Sequence, residues 1–484
     1  MTSPLLRKAL LLTFLLICLI PAVAAHVSGR GFILLLPTNL FIAGGALVVA
    51  ASFALMALIP LKRVVSVADW KKVLVIRSGH IGLWVSVASL LVSVFLILAG
   101  WYGSRDPLRN PTPMFIWSVW WPGMTIVTAL LGNVWAIANP WSGVYNMLAS
   151  RGKVYPILKY PERLGYFPAI AIFSGFAWVE LVHPSPADPT FLSNLIAGYL
   201  IYNFVGIVLF GEHQWLKHCE AFSVFFRMVS WISSVSIAGT DRLTGVADGE
   251  TAGQRSSGIV ISLPTAHLVR GQVLRLDHTL FIILSLSTVS FDGFSRTFAW
   301  LSLIGVNPLE YPGRTALMLV NTLGLLATFG AITAAYVLAS WLSRILVFQD
   351  KKTWMVMGMF IPSIVPIALG YHIAHYFPYV VADIRTVYAA LSDPFGRGWN
   401  LFNVSDVPSV PSFLKDPYQL YYVYYIQVGL IVLVHILAVY IAHVIALREV
   451  KTIRHAMLSQ APLTLLMVGY TMFGLWLLSS PSVD

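Results

Sequence analysis

Apolar residues in this chain form long unbroken stretches, and the polar residues gather in the short connections between them. That is neither the alternation of half-buried strands nor the one-sided stripe of a surface helix. A helix crossing a bilayer needs about 20 predominantly apolar residues. After an N-terminal leader, ten such runs can be drawn, at 36–60, 80–102, 113–138, 165–182, 192–210, 277–300, 315–343, 354–379, 418–446 and 461–479. The fold class expected is all-α, a polytopic transmembrane helical bundle. The leader differs in pattern: Arg7 and Lys8 precede an apolar run from Ala9 to Ile20, and Pro21-Ala22-Val23-Ala24-Ala25 follows. A basic start, a short apolar run and a small-residue end predict a signal peptide over 1–25. An uncleaved first membrane helix is the alternative.

The longest polar connection, 211–276, separates a five-helix half at 26–210 from a second at 277–484. Within it, Ala221-Phe222-Ser223-Val224-Phe225-Phe226-Arg227-Met228-Val229-Ser230-Trp231 is too short to span and reads as an interfacial or re-entrant helix. Residues 239–258, rich in Gly, Ser, Asp and Arg, read as a solvated loop. The segment 380–417, with Pro394, Pro408, Pro411 and Pro417, reads as a surface loop able to cover an outward-facing cavity.

Composition agrees with the pattern. Charged residues make up 11% of the chain and apolar ones 58%, with a mean hydropathy of +0.78, where a soluble domain has about 25% and about 45–50%. A soluble enzyme and a nucleic-acid binder are thereby excluded, and the bilayer itself is the first expected partner. The net charge of +11 sets orientation. Lys62, Arg63, Lys71, Lys72 and Arg77 fall in one connection, Arg151, Lys153, Lys159 and Arg163 in another, and Arg344, Lys351, Lys352, Arg448, Lys451 and Arg454 in two more. The alternate connections are poor in positive charge, so the positive-inside rule puts the basic ones in the cytoplasm. In a bacterial inner membrane the mature N-terminus is then periplasmic. Two cysteines, Cys18 and Cys219, cannot make a disulfide framework.

An ionisable residue at membrane depth is a functional candidate by default. Asp292 lies about 15 residues, or roughly 22 Å, into the sixth run at 1.5 Å per residue. His372 and His375 stand at i and i+3 near the outer end of the eighth run, and Glu180 and His183 at i and i+3 close the fourth. The five converge in depth on the outer side. Imidazoles and carboxylates together are donors for a divalent metal ion such as Zn²⁺ with a position left for water, and such a water is a source of hydroxide at neutral pH. Asp292, His372 and His375 are the catalytic candidates, Glu180 and His183 further metal ligands. Trp101, Trp121, Tyr371 and Tyr376 are candidates for an aromatic substrate pocket. A second polar group, Glu212, His213, His218, Glu220, His80, Asp277 and His278, lies toward the cytoplasm and is read first as a network at helix ends. His435 and His443 in the ninth run are read as interhelical donors.

No Walker loop, no G-x-S-x-G elbow and no H-E-x-x-H occurs. Gly132-Asn133-Val134-Trp135 with Asn139-Pro140-Trp141, Glu220-Ala221-Phe222-Ser223-Val224-Phe225-Phe226, Thr288-Val289-Ser290-Phe291-Asp292-Gly293 and Ala374-His375-Tyr376, behind a leader ending Ala-His, resemble the bacterial polytopic membrane proteins named fenitrothion hydrolases. The resemblance implies cleavage of a lipophilic organophosphorus triester at the P–O-aryl bond, and a second, smaller protein subunit. It brings no catalytic residues with it. Two other readings stay open. One is a transporter or ion-handling permease in which the same Asp and His residues relay protons. The other is a membrane subunit whose partner carries the chemistry.

Overall fold

The computed structural model describes residues 38–56, 58, 71–75, 81–150, 152, 155–237, 258–269, 273–404, 417–450 and 452–480. The expected signal peptide, His80 and most of the 239–258 loop lie outside them. All ten apolar runs are helical. They form α1 (Thr38–Met56), α2 (Ile81–Tyr102), α3 (Pro111–Leu131), α6 (Phe167–Leu181), α7 (Pro189–Phe210), α10 (Leu276–Ser295), α12 (Arg314–Leu346), α13 (Thr353–Ser392), α14 (Pro417–Glu449) and α15 (Ile453–Ser479). Shorter helices join them: α4 (Trp135–Ala138), α5 (Ser142–Ala149), α8 (Glu212–His218), α9 (Ala221–Ser230) and α11 (Phe298–Leu303).

Eight of the ten are long and apolar enough to cross a membrane; α6 and α10 are the exceptions among the described helices. The chain is a multi-pass membrane protein. Burial divides the bundle into a centre and a rim. In the most apolar stretch of α13, 78% of the residues are buried, and in that of α14, 67%, against 11% for α1. On the rim, large apolar side chains such as Leu40, Leu47, Leu319 and Leu465 are about two-thirds exposed or more. In water such a surface would be an aggregation site, whereas against lipid it is the expected exterior.

Two helices depart from regular geometry where the sequence carries prolines. In α3, Pro111, Pro113 and Pro122 bracket a π-helical turn over Phe115–Trp120. In α13 a 3-10 turn over Ile361–Ile364 contains Pro362, and Pro378 lies further along the same helix. A missing N–H loosens the local hydrogen-bond ladder, and π turns collect at functional sites. α13 also runs on to Ser392, so the first part of the expected 380–417 loop is helix; residues 405–416 lie outside the described set.

The described parts of the 211–276 connection, 211–237, 258–269 and 273–276, include short helices and strands. Every residue of α9 except Arg227 is buried, so this helix is tucked into the bundle and does not lie along its surface. Glu220 makes that possible. Its carboxylate, itself fully buried, accepts from the Phe222 and Ser223 backbone N–H groups, from Trp135 Nε1 (3.0 Å) and from the Tyr199 hydroxyl. The first two bonds cap the helix N-terminus, where donors have no intrahelical partner. Nearby, Gly206 lets α7 meet α8, because a Cβ there would fall 2.0 Å from the Trp215 ring. The sequence reading did not foresee a small antiparallel sheet in the order β1 (Lys71–Val75), β3 (Gly258–Ser262), β2 (Val235–Ile237). Its strands are three to five residues long, too short for alternation to stand out.

Removing the Glu220 carboxylate strands two ring or hydroxyl donors and uncaps α9. Glu220→Ala is expected to destabilise the protein by about 3 kcal/mol, the order of one lost cap plus buried bonds to a charged group. Thermal unfolding in detergent, followed by tryptophan fluorescence, checks this; Glu220→Gln should retain much of the stability.

Candidate functional site

α6, α10 and α13 run in the same direction, from the end of the bundle that carries Arg163, Lys351 and Arg448 to the opposite end. Glu180 near the far end of α6, Asp292 near that of α10 and His375 just past the middle of α13 come together there. Asp292 is 1% exposed, and a bare carboxylate in so dry a place is costly unless cations and donors surround it. His375 Nε2 lies 2.7 Å from Asp292 Oδ2, and Arg296 Nη2 lies 3.0 Å from Oδ1. At that distance the imidazole and the carboxylate are in close polar contact. The Tyr376 hydroxyl shares its proton between Glu180 Oε1 (2.6 Å) and Asp292 Oδ2 (3.1 Å). Arg314, the first residue of α12, donates to the backbone oxygens of Glu180 (2.8 Å) and His183 (3.4 Å).

One side of this network is closed and the other is open. On the closed side, Trp121, Phe173, Phe176, Glu180, His372 and Tyr376 line a cavity of about 10 Å³, which is about the room one water needs. His372 is buried, stands edge-on to Trp121 with ring centroids 4.5 Å apart, and its Nε2 has no partner among the described residues. On the open side, the His375 side chain is 20% exposed and that of Arg296 33%. The Tyr379 hydroxyl, accepting from Arg296 Nη1 at 3.2 Å, completes that rim.

Of the expected site residues, Asp292, His375, Glu180, Tyr376, His372 and Trp121 are gathered here. Three are elsewhere. His183 stacks on Phe191 at 4.0 Å, and its Nδ1 accepts from the Ser185 N–H. Trp101 donates to Asn194 Oδ1 between α2 and α7. Tyr371 turns toward α15 and donates to the Tyr470 carbonyl oxygen at 2.6 Å. The sequence reading missed Arg296 and Tyr379. A signal for Arg296 was present, since it follows Asp292 at i+4 and therefore shares its helix face.

The expected metal ligands do not come together as one set. Among the described residues no three His, Cys, Asp or Glu side chains gather as a ligand group. Both oxygens of Asp292 already face His375 and Arg296, and a guanidinium beside the carboxylate repels a second cation.

The second polar group, at the basic end, divides into separate structural ties. Asp277 Oδ1 meets His278 Nδ1 (3.1 Å) and Arg275 Nε (3.3 Å), while Oδ2 accepts from the Tyr166 N–H (2.9 Å), which binds the start of α10 to the start of α6. His278 stacks on Tyr166, and His218 on Tyr160. Burial pushes the His218 imidazole down to about 4, so it is neutral, and pushes the Cys219 thiol up to about 11. No protein-family model, curated protein or solved structure matches the chain, and the site is read on its geometry.

A thiol raised to about 11 and buried carries almost no thiolate at pH 7, and the thiolate is the reactive form. In a Cys18→Ser background the folded protein is expected to take up N-ethylmaleimide at Cys219 at least about 100-fold more slowly than the denatured chain. Intact-mass measurement over time gives the ratio.

Proposed function

We propose that this chain is a membrane-embedded hydrolase of lipophilic neutral esters, organophosphorus triesters of the fenitrothion type among them, working from the periplasmic half of a bacterial inner membrane. The observation that carries the reading is the buried Asp292–His375 pair beside Arg296, opening to the surface on the His375 side. A carboxylate against one imidazole nitrogen fixes the tautomer and leaves the other nitrogen free as a base. With Nε2 toward Asp292, His375 offers Nδ1 to a water molecule. The water oxygen bonds to phosphorus as its proton passes to Nδ1, the P–O-aryl bond breaks, and the nitrophenolate departs with the bonding pair. The imidazolium then gives up its proton to the leaving group or to solvent. Arg296 spans Asp292 and Tyr379 and has further N–H groups to stabilise charge developing on the thiophosphoryl group.

Two further features support this reading. A neutral aryl triester partitions into lipid, which brings it to a protein whose outer surface is apolar. The motifs resembling fenitrothion hydrolases include both Asp292 and His375. No step needs a metal ion.

The test is nitrophenol release from fenitrothion by membranes that contain this chain, with and without EDTA. His375→Ala and Asp292→Asn are expected to lower the rate about 10²–10⁴-fold, the usual contribution of a positioned general base. Arg296→Met should lower it about 10²–10³-fold, as for one lost charge-stabilising donor. EDTA should leave the rate unchanged. Full activity in both His375→Ala and Asp292→Asn membranes, at equal protein level, would remove the site assignment, and loss of release in EDTA would remove the metal-free base.

A further inference from the structure

The hydrolytic reading leaves a second set of buried polar groups without a role. His435 and His443 on α14 are 0% and 1% exposed, Gln460 on α15 is 0% and Thr464 is 5%. His435 Nδ1 lies 2.8 Å from the Ile431 carbonyl oxygen, so Nδ1 carries the hydrogen and Nε2 is a lone pair. That nitrogen has no partner among the described residues. His443 Nδ1 lies 2.6 Å from the Gln460 amide nitrogen, and whichever way the amide is turned, His443 Nε2 and the second amide atom are left over. Both are buried and unpartnered, as is Thr464 Oγ1.

These groups lie in sequence along one seam. α14 and α15 are antiparallel neighbours, with the Tyr470 ring beside His435 (6.4 Å) and Gln460 beside His443. Thr464, one turn from Gln460 on the same face, therefore falls at a depth between the two histidines. Toward the site the series continues. The Tyr371 ring lies 6.0 Å from His435 and 5.0 Å from Tyr470, and the Tyr470 hydroxyl is bonded to Ser290 of α10. Tyr371 stands one turn before His375 on α13, at i and i+4. The close approach of Tyr371 to α15 depends on Gly474, where a Cβ would sit 1.7 Å from the Tyr371 hydroxyl. At the other end, six residues beyond His443, Glu449 pairs with Lys351 at 3.2 Å.

Each unpartnered buried polar atom costs about 1–3 kcal/mol, and four on one seam of an apolar bundle are not retained for stability. Buried water satisfies such groups. Imidazole, hydroxyl and amide groups each have donor and acceptor sites, as a chain of proton transfers requires. The seam between His435 and His443 holds no carboxylate among the named groups, so a metal or sodium ion there would lack a counter-charge. Interior-facing titratable groups at membrane depth mark proton relays.

We propose that the α14–α15 seam, extended by Tyr371 and Tyr470, holds a file of water molecules that passes protons between the Asp292–His375 pair and the basic end of the bundle. The proposal does not rest on ester hydrolysis, and its test contains no ester, so the two readings fail separately. The full chain is reconstituted into liposomes with a trapped pH-sensitive dye, and a potassium gradient with valinomycin makes the interior negative. Internal acidification is expected to be at least several-fold faster than in protein-free liposomes. His435→Leu and the near-isosteric Thr464→Val should each reduce the protein-dependent rate about 10-fold, with gel filtration reporting whether each variant is folded. A wild-type rate equal to that of protein-free liposomes overturns the proposal, and so does a folded Thr464→Val protein that conducts like the wild type.

Discussion

The far end of the bundle is organised by the need to neutralise one buried carboxylate. Asp292 cannot be left bare at 1% exposure, and the groups that compensate it come from different parts of the chain. Arg296 comes from the turn that ends α10, and His375 and Tyr376 from α13. Tyr376 then brings in Glu180 from α6, whose backbone oxygen receives Arg314 from α12. Four helices are thus tied through one charge. Breaking a buried pair by removing one partner costs about 3–5 kcal/mol, while replacing the whole set by apolar residues is often neutral. A network of this kind at membrane depth is therefore better explained by chemistry than by stability.

The aromatic side chains behind it determine which of the neighbouring groups can join. The π turn in α3 precedes Trp121, which stands edge-on to His372 and packs against Phe173, Phe176 and Phe225. Trp121, Phe173 and Phe176 line the water-sized cavity together with His372, which stands one turn from His375. α9 supplies Phe222 and Phe225 to the same cluster, and it can enter the bundle only because Glu220 satisfies its first N–H groups internally. The Glu220 cap and the Asp292–His375 pair thus share one aromatic core.

The helices were legible because the solvent for this fold is apolar. A run of about 20 lipid-compatible residues declares itself without periodicity, and all ten expected runs are helical. Depth was legible as well, since rise per residue placed Asp292, His375 and Glu180 at one level before any contact was known. Azimuth was not. Tyr371 and His372 are adjacent in sequence, and with about 100° between them on a helix one faces α15 while the other faces Trp121. Trp101 has a plausible depth but belongs to the α2–α7 contact. His183 lies past the end of its helix, where a backbone turn aims it at Phe191. Arg296 was hidden for another reason. A cation just beyond a span reads as an ordinary interfacial charge until its i−4 neighbour is recognised as buried.

Arg296 also decides what chemistry this cluster can support. A divalent ion and a guanidinium would compete for the same carboxylate oxygens, and here the guanidinium is in place at 3.0 Å. It neutralises Asp292 without occupying the free nitrogen of His375, as a metal drawn from the same donors would. The imidazole is left with a carboxylate on one side and an open face on the other, and that arrangement favours proton transfer. Under the proposed hydrolysis it serves a base that activates water for attack on an ester. Under the proposed proton path it serves equally as one terminus, because His375 stands one turn from Tyr371 and the polar seam beyond it. Both proposed roles ask the same thing of the fold, a buried carboxylate held against an imidazole that opens to the surface.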